Sequence, residues 1–212
     1  MLFRSAGLLA TQLPAAKGPA LMIDIGTNGE IVLVHDGQVW AASTAAGPAF
    51  EGARIACGMR ATQGAIEKVV MSDDIYCGVI GNVPPVGICG SGLIDIIAEL
   101  LSIGVISPEG RLLPNDELPE SVPVKIRDRV TLDEGGETML ILHHASDAGE
   151  GEQVYLSQKD VRELQLASGA LRAGVNILLR NAGIAAGELD RILIAGGFGS
   201  FIRRSNAQRI GL

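Results

Sequence analysis

The chain has 212 residues, of which 47% are hydrophobic and 3% aromatic, and its formal net charge is −7. This length can bury a substantial core as one large or two small domains, and the scarcity of aromatic side chains predicts a core of aliphatic residues, Ala and Gly. A net negative charge argues against a nucleic-acid surface. No apolar run reaches the roughly 18 residues of a membrane span, and no convincing signal peptide opens the chain, so we expect a cytoplasmic protein without membrane contact.

The first recognisable structure is a meander of three strands, at about 21–25, 30–35 and 39–43. Two dipeptides separate the apolar runs, Asn28-Gly29 and Asp36-Gly37. Because Asn, Asp and Gly tolerate positive φ, both dipeptides are typical of tight hairpin turns. The sequence therefore predicts an antiparallel sheet near the N-terminus.

The first turn of this meander carries candidate ligands for phosphate and magnesium. Its backbone N–H groups can converge on an anion, and they belong to Gly26, Thr27, Asn28 and Gly29. Asp24 ends the first strand, where one carboxylate can hold a hydrated magnesium ion beside phosphate oxygens. An ordinary hairpin without a ligand is the alternative that this stretch leaves open.

The middle of the chain has weaker patterns. We predict a helix near 48–56 and short strands around 65–70 and 76–80. Ser91 is a suitable N-cap for a helix over 93–101, and Gly104 would end this helix. Because its apolar residues cover more than one face, we expect the helix to be sandwiched between other elements. The three cysteines, Cys57, Cys77 and Cys89, are too widely spaced for a zinc site and predict reduced thiols.

Residues 107–155 contain prolines and acidic turns, with strands predicted at 122–126 and 139–143. We interpret this region as a β-rich elaboration, and both a solvated surface and a partner contact stay open for it. A long helix follows, opened by a capping box of Ser157 and Asp160 and ended near Gly183, with Ser168 and Gly169 forming a narrow waist.

The C-terminal part ends with a buried strand that runs into a glycine-rich turn. Residues 192–195 are apolar, two of them are β-branched, and three glycines follow within four residues, which permits close approach of a ligand to the backbone. On the preceding helix, Lys159 and Glu163 lie one turn apart. They can contact a nucleoside or form an exposed salt bridge, and the spacing alone does not decide.

These motifs resemble those of a known superfamily. Residues 24–30 are similar to the second phosphate hairpin of the actin, hexokinase and heat-shock chaperone superfamily, and residues 194–199 to its adenosine-binding turn. Other segments resemble the ATP-dependent reductive activators of corrinoid-dependent methyltransferases, namely residues 42–55, 57–60, 64–67, 87–95 and 158–165. The resemblance covers nearly the whole chain.

The resemblance implies an α/β fold, a ribonuclease-H-like mixed sheet with flanking helices that forms one lobe of an actin-like ATPase, with a β-rich insertion. Residues 1–18 would be the remnant of a preceding helix and linker, and residues 19–212 the lobe, with its elaboration at about 107–155. The iron–sulfur domain and the first phosphate hairpin of the family are missing from this sequence. We therefore expect the segment alone to bind nucleotide weakly and not to turn over.

The same resemblance implies roles for single residues. Asp24 would orient magnesium through water, and Thr27 and Asn28 would donate to phosphate oxygens. The nucleoside would be framed and contacted by Gly196, Gly197, Phe198, Lys159 and Glu163. Glu51 and Arg54 would polarise water or contact phosphate, or form a surface ion pair, and these alternatives stay open.

For function, the resemblance implies that ATP drives electron delivery from an iron–sulfur cluster to cob(II)alamin and returns the cobalt of a corrinoid protein to Co(I). ATP and Mg²⁺ would be the cofactors held by this segment, and the cluster would belong to the missing domain. A corrinoid protein of a methyltransferase system would be the partner, and a homodimer is left open. Two alternatives are a small-molecule kinase of the acetate or sugar type and a non-catalytic docking module.

Overall fold

The computed structural model describes Gly7 and residues 10–144, 153–196 and 201–212. The chain divides into two compact units, one formed by Met1–Gly47 with Ala167–Phe201 and the other by Pro48–Leu166 with Ile202–Leu212. Most of the helical remnant predicted before residue 13 lies outside the described residues. Short 3-10 turns occur at Leu13–Ala15, Pro48–Glu51, Asn115–Glu117 and Ala186–Glu188.

The first unit contains a four-stranded mixed sheet. Its strands are β1 (Ala20–Ile25), β2 (Gly29–His35), β3 (Gln38–Thr44) and β10 (Arg191–Ala195), in the order β10-β1-β2-β3. β1 pairs with β10 in parallel, and the other pairs are antiparallel. The predicted meander is therefore confirmed, with each strand one residue longer at one end or both. The predicted burial of β10 is wrong, because it is an edge strand whose residues are exposed or half-buried. Leu13 and the buried side chains of Met22 and Val32 belong to one core cluster of this unit.

Both predicted hairpins form, but only the second has the predicted two-residue turn. Asp36 and Gly37 have φ of 48° and 72°, as a tight two-residue turn requires. Neither Asn28 nor Gly29 has positive φ. Instead, Gly29 already pairs with Ile25, which leaves a three-residue loop over 26–28. A glycine fits at position 29 for a different reason, because a Cβ there would collide with the side chain of Leu171.

The long helix α3 (Gln158–Ala182) confirms the prediction made from its capping box. Its part from Ala167 onward belongs to the first unit, where Leu171 and Leu178 are buried. The close approach of this helix to the sheet occurs at Gly174, whose Cβ would lie 2.5 Å from Thr44 and 2.6 Å from Ile31. The predicted waist at Gly169 is wrong, since nothing lies within 4 Å of a Cβ built there.

The second unit contains two three-stranded sheets. The first has the order β5-β4-β6 and the second the order β7-β8-β9. The strands of the two sheets are β4 (Ala65–Met71), β5 (Ile75–Val79), β6 (Gly87–Ile88), β7 (Val130–Leu132), β8 (Thr138–His143) and β9 (Val154–Ser157). The strands predicted near residues 65, 76 and 139 are thus confirmed.

Helix α1 (Gly90–Ile103) is buried around most of its circumference, which confirms that it is sandwiched. It begins earlier than predicted, with Cys89 rather than Ser91 at the N-cap position, and ends at Gly104 as expected. Asp95 of α1 is 3% exposed and accepts hydrogen bonds from Arg203, from Asn206 and from the backbone N–H of Val69. This network ties helix α4 (Arg204–Arg209) to α1 and β4.

Two further predictions for the second unit are wrong. The helix expected near 48–56 is one 3-10 turn, because Gly52 and Arg54 have φ of 77° and 66°, which a right-handed helix cannot contain. The strand expected at 122–126 is the short helix α2 (Val124–Arg127). Pro123 lacks an N–H for a strand ladder, and its carbonyl accepts hydrogen bonds from Ile126 and Arg127.

Candidate functional site

Asp24 and Gly196 come together at one edge of the sheet of the first unit. The parallel pairing of β1 with β10 places Asp24 opposite Ala195, so that Gly196 follows directly beside the carboxylate. A Cβ built on Gly196 would lie 2.5 Å from Asp24 Oδ1 and 3.2 Å from the carbonyl oxygen of Ile25, and the backbone of Gly196 has φ of 92°. Carboxyl ends of parallel strands are where α/β sheets bind ligands.

The loop between β1 and β2 lies next to this carboxylate in sequence. Thr27 and Asn28 are exposed and Gly26 is half-buried. The carbonyl oxygen of Thr27 accepts a hydrogen bond from the N–H of Gly47 at 3.0 Å, which fixes one side of the loop. The loop therefore presents its polar residues to solvent beside the end of β1.

The carboxylate of Asp24 has no partner among the residues that the structure describes. It is half-buried and forms no hydrogen bond or ion pair with any residue that the structure describes. Glu30 is its direct partner across β1 and β2, so both side chains lie on the same face of the sheet. The sequence did not predict that Glu30 lies opposite Asp24, because a two-residue turn at Asn28-Gly29 would give a different strand register.

In the second unit, the N-terminal turns of α3 carry Lys159 and Glu163. Lys159 is exposed and Glu163 is half-buried, and within the described ranges neither forms a hydrogen bond or an ion pair. The alternative of an exposed salt bridge between them is therefore not seen. Their neighbours Gln158, Asp160 and Gln165 all hydrogen-bond to the backbone of other segments.

Glu51 and Arg54 also belong to the second unit. Glu51 ends the 3-10 turn and is exposed, and Arg54 is exposed on the positive-φ backbone that follows. Gly197 and Phe198, the remaining residues predicted to frame a nucleoside, lie outside the described residues. The structure thus brings together Asp24, the β1–β2 loop and Gly196 in one unit, and it carries Lys159, Glu163 and Glu51 in the other.

A separate cavity of about 420 Å³ lies in the second unit. It is lined by Ile75, Cys77, Val79, Pro85, Arg129, Leu142, His143 and His144. Burial raises the pKa of the Cys77 thiol to about 11, and hydrogen bonds from Arg129 hold the pKa of the nearby Asp74 below its usual range. Of the residues predicted to bind nucleotide, none that the structure describes lines this cavity.

The described part of the chain contains neither a membrane-spanning helix nor a cluster of metal-binding side chains. Among its helices, none combines the length and the apolarity that crossing a bilayer requires. Its His, Cys, Asp and Glu side chains form no group of three or more placed to hold a metal ion.

Comparison with known proteins identifies the family. The model of the C-terminal domain of RACo, the ASKHA domain, matches residues 18–212. The corrinoid activation enzyme RamQ of Eubacterium limosum is 44% identical over 201 residues, which cover 94% of this chain and 33% of RamQ. The Co(II) methylated amine-specific corrinoid protein reductase of Methanosarcina barkeri is 29% identical over 229 residues, with 97% of this chain and 37% of the reductase covered.

A solved structure has the same fold. The reductive activator for corrinoid, iron–sulfur protein aligns with a TM-score of 0.80 and 36% identity, over 97% of this chain and 32% of that one. The chain therefore spans about a third of the length of the relatives it matches. The match confirms the predicted fold class, an actin-like α/β domain with mixed sheets and flanking helices. The chain belongs to the family of RACo C-terminal ASKHA domains.

Proposed function

We propose that this domain binds ATP with Mg²⁺ at the edge of the sheet where β1 and β10 end. The proposal depends mainly on the proximity of Asp24 to Gly196. The Asp24 carboxylate has no partner among the described residues, and Gly196 beside it has no side chain that would block a ligand. Membership of an ASKHA family supports a nucleotide as the ligand. The half-buried position of Asp24 fits a cation held through water.

Each residue of the site would have a separate task. Asp24 orients the hydration shell of the cation, and Thr27 and Asn28 donate to phosphate oxygens from the exposed loop. Gly196 leaves room for the nucleotide beside the carboxylate, and Gly197 and Phe198, which follow it in the sequence, would frame the nucleoside. Phosphoryl transfer depends on such positioning and on neutralised charge, so no covalent nucleophile is required.

We further propose that four residues of the second unit act on the nucleotide. Lys159 and Glu163 contact the ribose or the base, which agrees with their lack of any hydrogen bond or ion pair to the described residues. Glu51 polarises water for hydrolysis, and Arg54 contacts phosphate. Mg²⁺, when bound, supplies charge neutralisation at the phosphates.

In the full-length protein, ATP binding and hydrolysis would drive reduction of a corrinoid protein. The names of three relatives support this target, since they describe corrinoid activation or corrinoid protein reduction. An iron–sulfur donor would supply the one electron that converts Co(II) to Co(I), and ATP hydrolysis would supply the free energy through a conformational change coupled to the nucleotide. Cytoplasmic location and homodimer formation are part of the same hypothesis.

The proposed activity can be measured as the absorbance change from Co(II) to Co(I) on a purified corrinoid protein, with the full-length protein, an electron donor and Mg-ATP. We expect Co(I) formation that requires ATP, and loss of it in Asp24→Ala. Co(I) formation at the same rate without ATP would contradict the proposal. Phosphorylation of acetate or a sugar would indicate the kinase alternative, and corrinoid-protein binding without any ATP binding would indicate the docking module.

A further inference from the structure

Asp160 is a buried carboxylate that joins two segments of the second unit, each of which carries residues proposed to act on the nucleotide. It is 0% exposed, although it lies in the first turn of a helix whose neighbouring residue Lys159 is exposed. Buried carboxylates are rare in proteins unless their oxygens are fully paired. The partners of this one therefore indicate what it does.

One oxygen of Asp160 caps its own helix. Oδ2 accepts hydrogen bonds from the N–H of Ser157 at 2.9 Å and from the hydroxyl of Ser157 at 2.8 Å, and Ser157 Oγ accepts from the N–H of Asp160 at 3.3 Å. This reciprocal arrangement fixes where α3 begins. Since Lys159 and Glu163 lie in the first two turns, it also fixes the positions from which they project.

The other oxygen reaches a segment that is 104 residues away in sequence. Oδ1 accepts a hydrogen bond from the N–H of Ala56 at 2.8 Å. The same segment is held further along, because the carbonyl of Cys57 accepts from the N–H of Ile88 at 2.7 Å and the N–H of Met59 donates to the carbonyl of Ile88 at 2.9 Å. These contacts define the course of the backbone that follows Glu51 and Arg54.

The capping box was predicted from sequence, but the contact with Ala56 was not. Gln158 and Gln165 of the same helix bind other loops, through the backbone of Leu112 and Glu109 respectively. Asp160 instead bonds to Ala56, in the segment that follows Glu51. Its Oδ1 holds the segment that follows Glu51, and its Oδ2 holds the start of the helix that carries Lys159 and Glu163.

We propose that Asp160 is a positioning residue for ATP, acting through the N–H of Ala56 and through the start of α3. This inference depends on the proposed function, because it assumes that Lys159, Glu163 and Glu51 act on the nucleotide. Asp160 touches no nucleotide itself. Its effect is to hold the two segments in fixed register, and small displacements of positioning groups weaken ligand binding and turnover strongly.

The test measures ATP affinity by calorimetry in the full-length protein, for wild type, Asp160→Ala and Asp160→Asn. The Ala variant loses all three accepted hydrogen bonds, whereas the Asn variant keeps an acceptor for Ala56. We expect a rise in Kd of roughly tenfold or more for Asp160→Ala and a smaller rise for Asp160→Asn. Amide hydrogen exchange should accelerate at Ala56 in the Ala variant and less so in the Asn variant.

The matched control is Asp133→Ala. Asp133 is an exposed carboxylate of the same unit whose Oδ1 accepts from the backbone N–H groups of Gly135 and Glu137. We expect this control to leave the Kd for ATP unchanged. Folded Asp160 variants that lose thermal stability but bind ATP with the wild-type Kd would overturn the inference and assign Asp160 a structural role only.

The wild-type titration separates this inference from the proposed function. If wild type does not bind ATP, the proposed function fails, and the inference fails with it. If wild type binds ATP and the Asp160 variants bind equally well, only the inference fails. Faster exchange at Ala56 together with an unchanged Kd is likewise a result against the positioning role.

Discussion

Gly196 lies so close to Asp24 that any side chain at position 196 would contact the Asp24 carboxylate. A Cβ there would be 2.5 Å from Oδ1 of Asp24, which is shorter than a van der Waals contact allows. The parallel register of β1 with β10 produces this arrangement. A carboxylate proposed to hold Mg²⁺ and a backbone surface proposed to receive a nucleotide are therefore neighbours at one edge of the sheet.

The first prediction concerns Gly196→Ala. The added methyl group must displace the Asp24 side chain, so we expect ATP binding in the presence of Mg²⁺ to fall by roughly tenfold or more. Part of any stability loss comes from φ of 92°, which costs an L-residue about 1–2 kcal/mol. The measurement is calorimetric titration with ATP and Mg²⁺, together with a denaturation curve.

Gly183→Ala is the matched control for that strain. Gly183 has φ of 71°, and nothing lies within 4 Å of a Cβ built on it. We expect a similar loss of stability in this variant with no loss of ATP affinity. Equal loss of affinity in both variants would show that strain in the backbone, and not the contact with Asp24, is responsible.

The second prediction concerns the buried network around Asp95. Its carboxylate accepts from Arg203 at 2.6 and 2.9 Å and from Asn206 at 2.7 Å. Asp95→Ala leaves these donors without their acceptor, and breaking such a buried pair typically costs about 3–5 kcal/mol. We expect urea denaturation to show a loss of this size.

Glu117→Ala serves as the comparison for Asp95→Ala. Glu117 also forms an ion pair, with Arg111, but both side chains are about half exposed. Exposed pairs are screened by solvent, so we expect a much smaller change in unfolding free energy. If the two substitutions had equal effects, the Asp95 network would not be the anchor of α4.

The third prediction follows from the raised pKa of Cys77. A thiol with a pKa of about 11 is almost entirely protonated at pH 8, where an ordinary thiol is partly thiolate. We expect alkylation of Cys77 by iodoacetamide in the native protein to be roughly a hundredfold slower at pH 8 than in the unfolded chain. The rate should rise steadily as the pH is raised toward 11.

Mass spectrometry of alkylated peptides at several pH values checks this prediction. The unfolded protein in urea is the control, since unfolding removes the burial that raises the pKa. Rapid native alkylation of Cys77 at pH 8 would contradict the burial of this thiol in the cavity.

Local sequence signals predicted the elements of this fold well where a local cause determines them. The three strands of the meander follow apolar runs bounded by turn residues, and α3 begins at its capping box. The helix predicted near 48–56 failed because an apolar, Ala-rich composition does not reveal the positive φ of Arg54. The strand predicted at 122–126 also failed, because Pro123 stands at the N-cap of the short helix α2.

Long-range contacts explain what sequence could not predict at the site. Asn28-Gly29 matches the local rule for a hairpin, yet Gly29 is required by Leu171, far along the chain. The hydrogen bond from Ala56 to Asp160 joins residues 104 positions apart, and no local pattern indicates it. The sequence also did not predict that Asp24 lies beside Gly196, because this proximity follows from the parallel register of β1 with β10.

The fourth prediction addresses the central claim, that Asp24 holds Mg²⁺ for ATP. The measurement is calorimetric titration of the full-length protein with ATP, with and without Mg²⁺, for wild type, Asp24→Asn and Asp36→Asn. Asp36 is the matched control, an exposed Asp at the other end of β2 in a turn that suits Asn equally well. We expect Mg²⁺-dependent binding that Asp24→Asn weakens on the order of tenfold or more and Asp36→Asn leaves unchanged. Binding that does not depend on Mg²⁺, or that is equally tight in Asp24→Asn, would contradict the account.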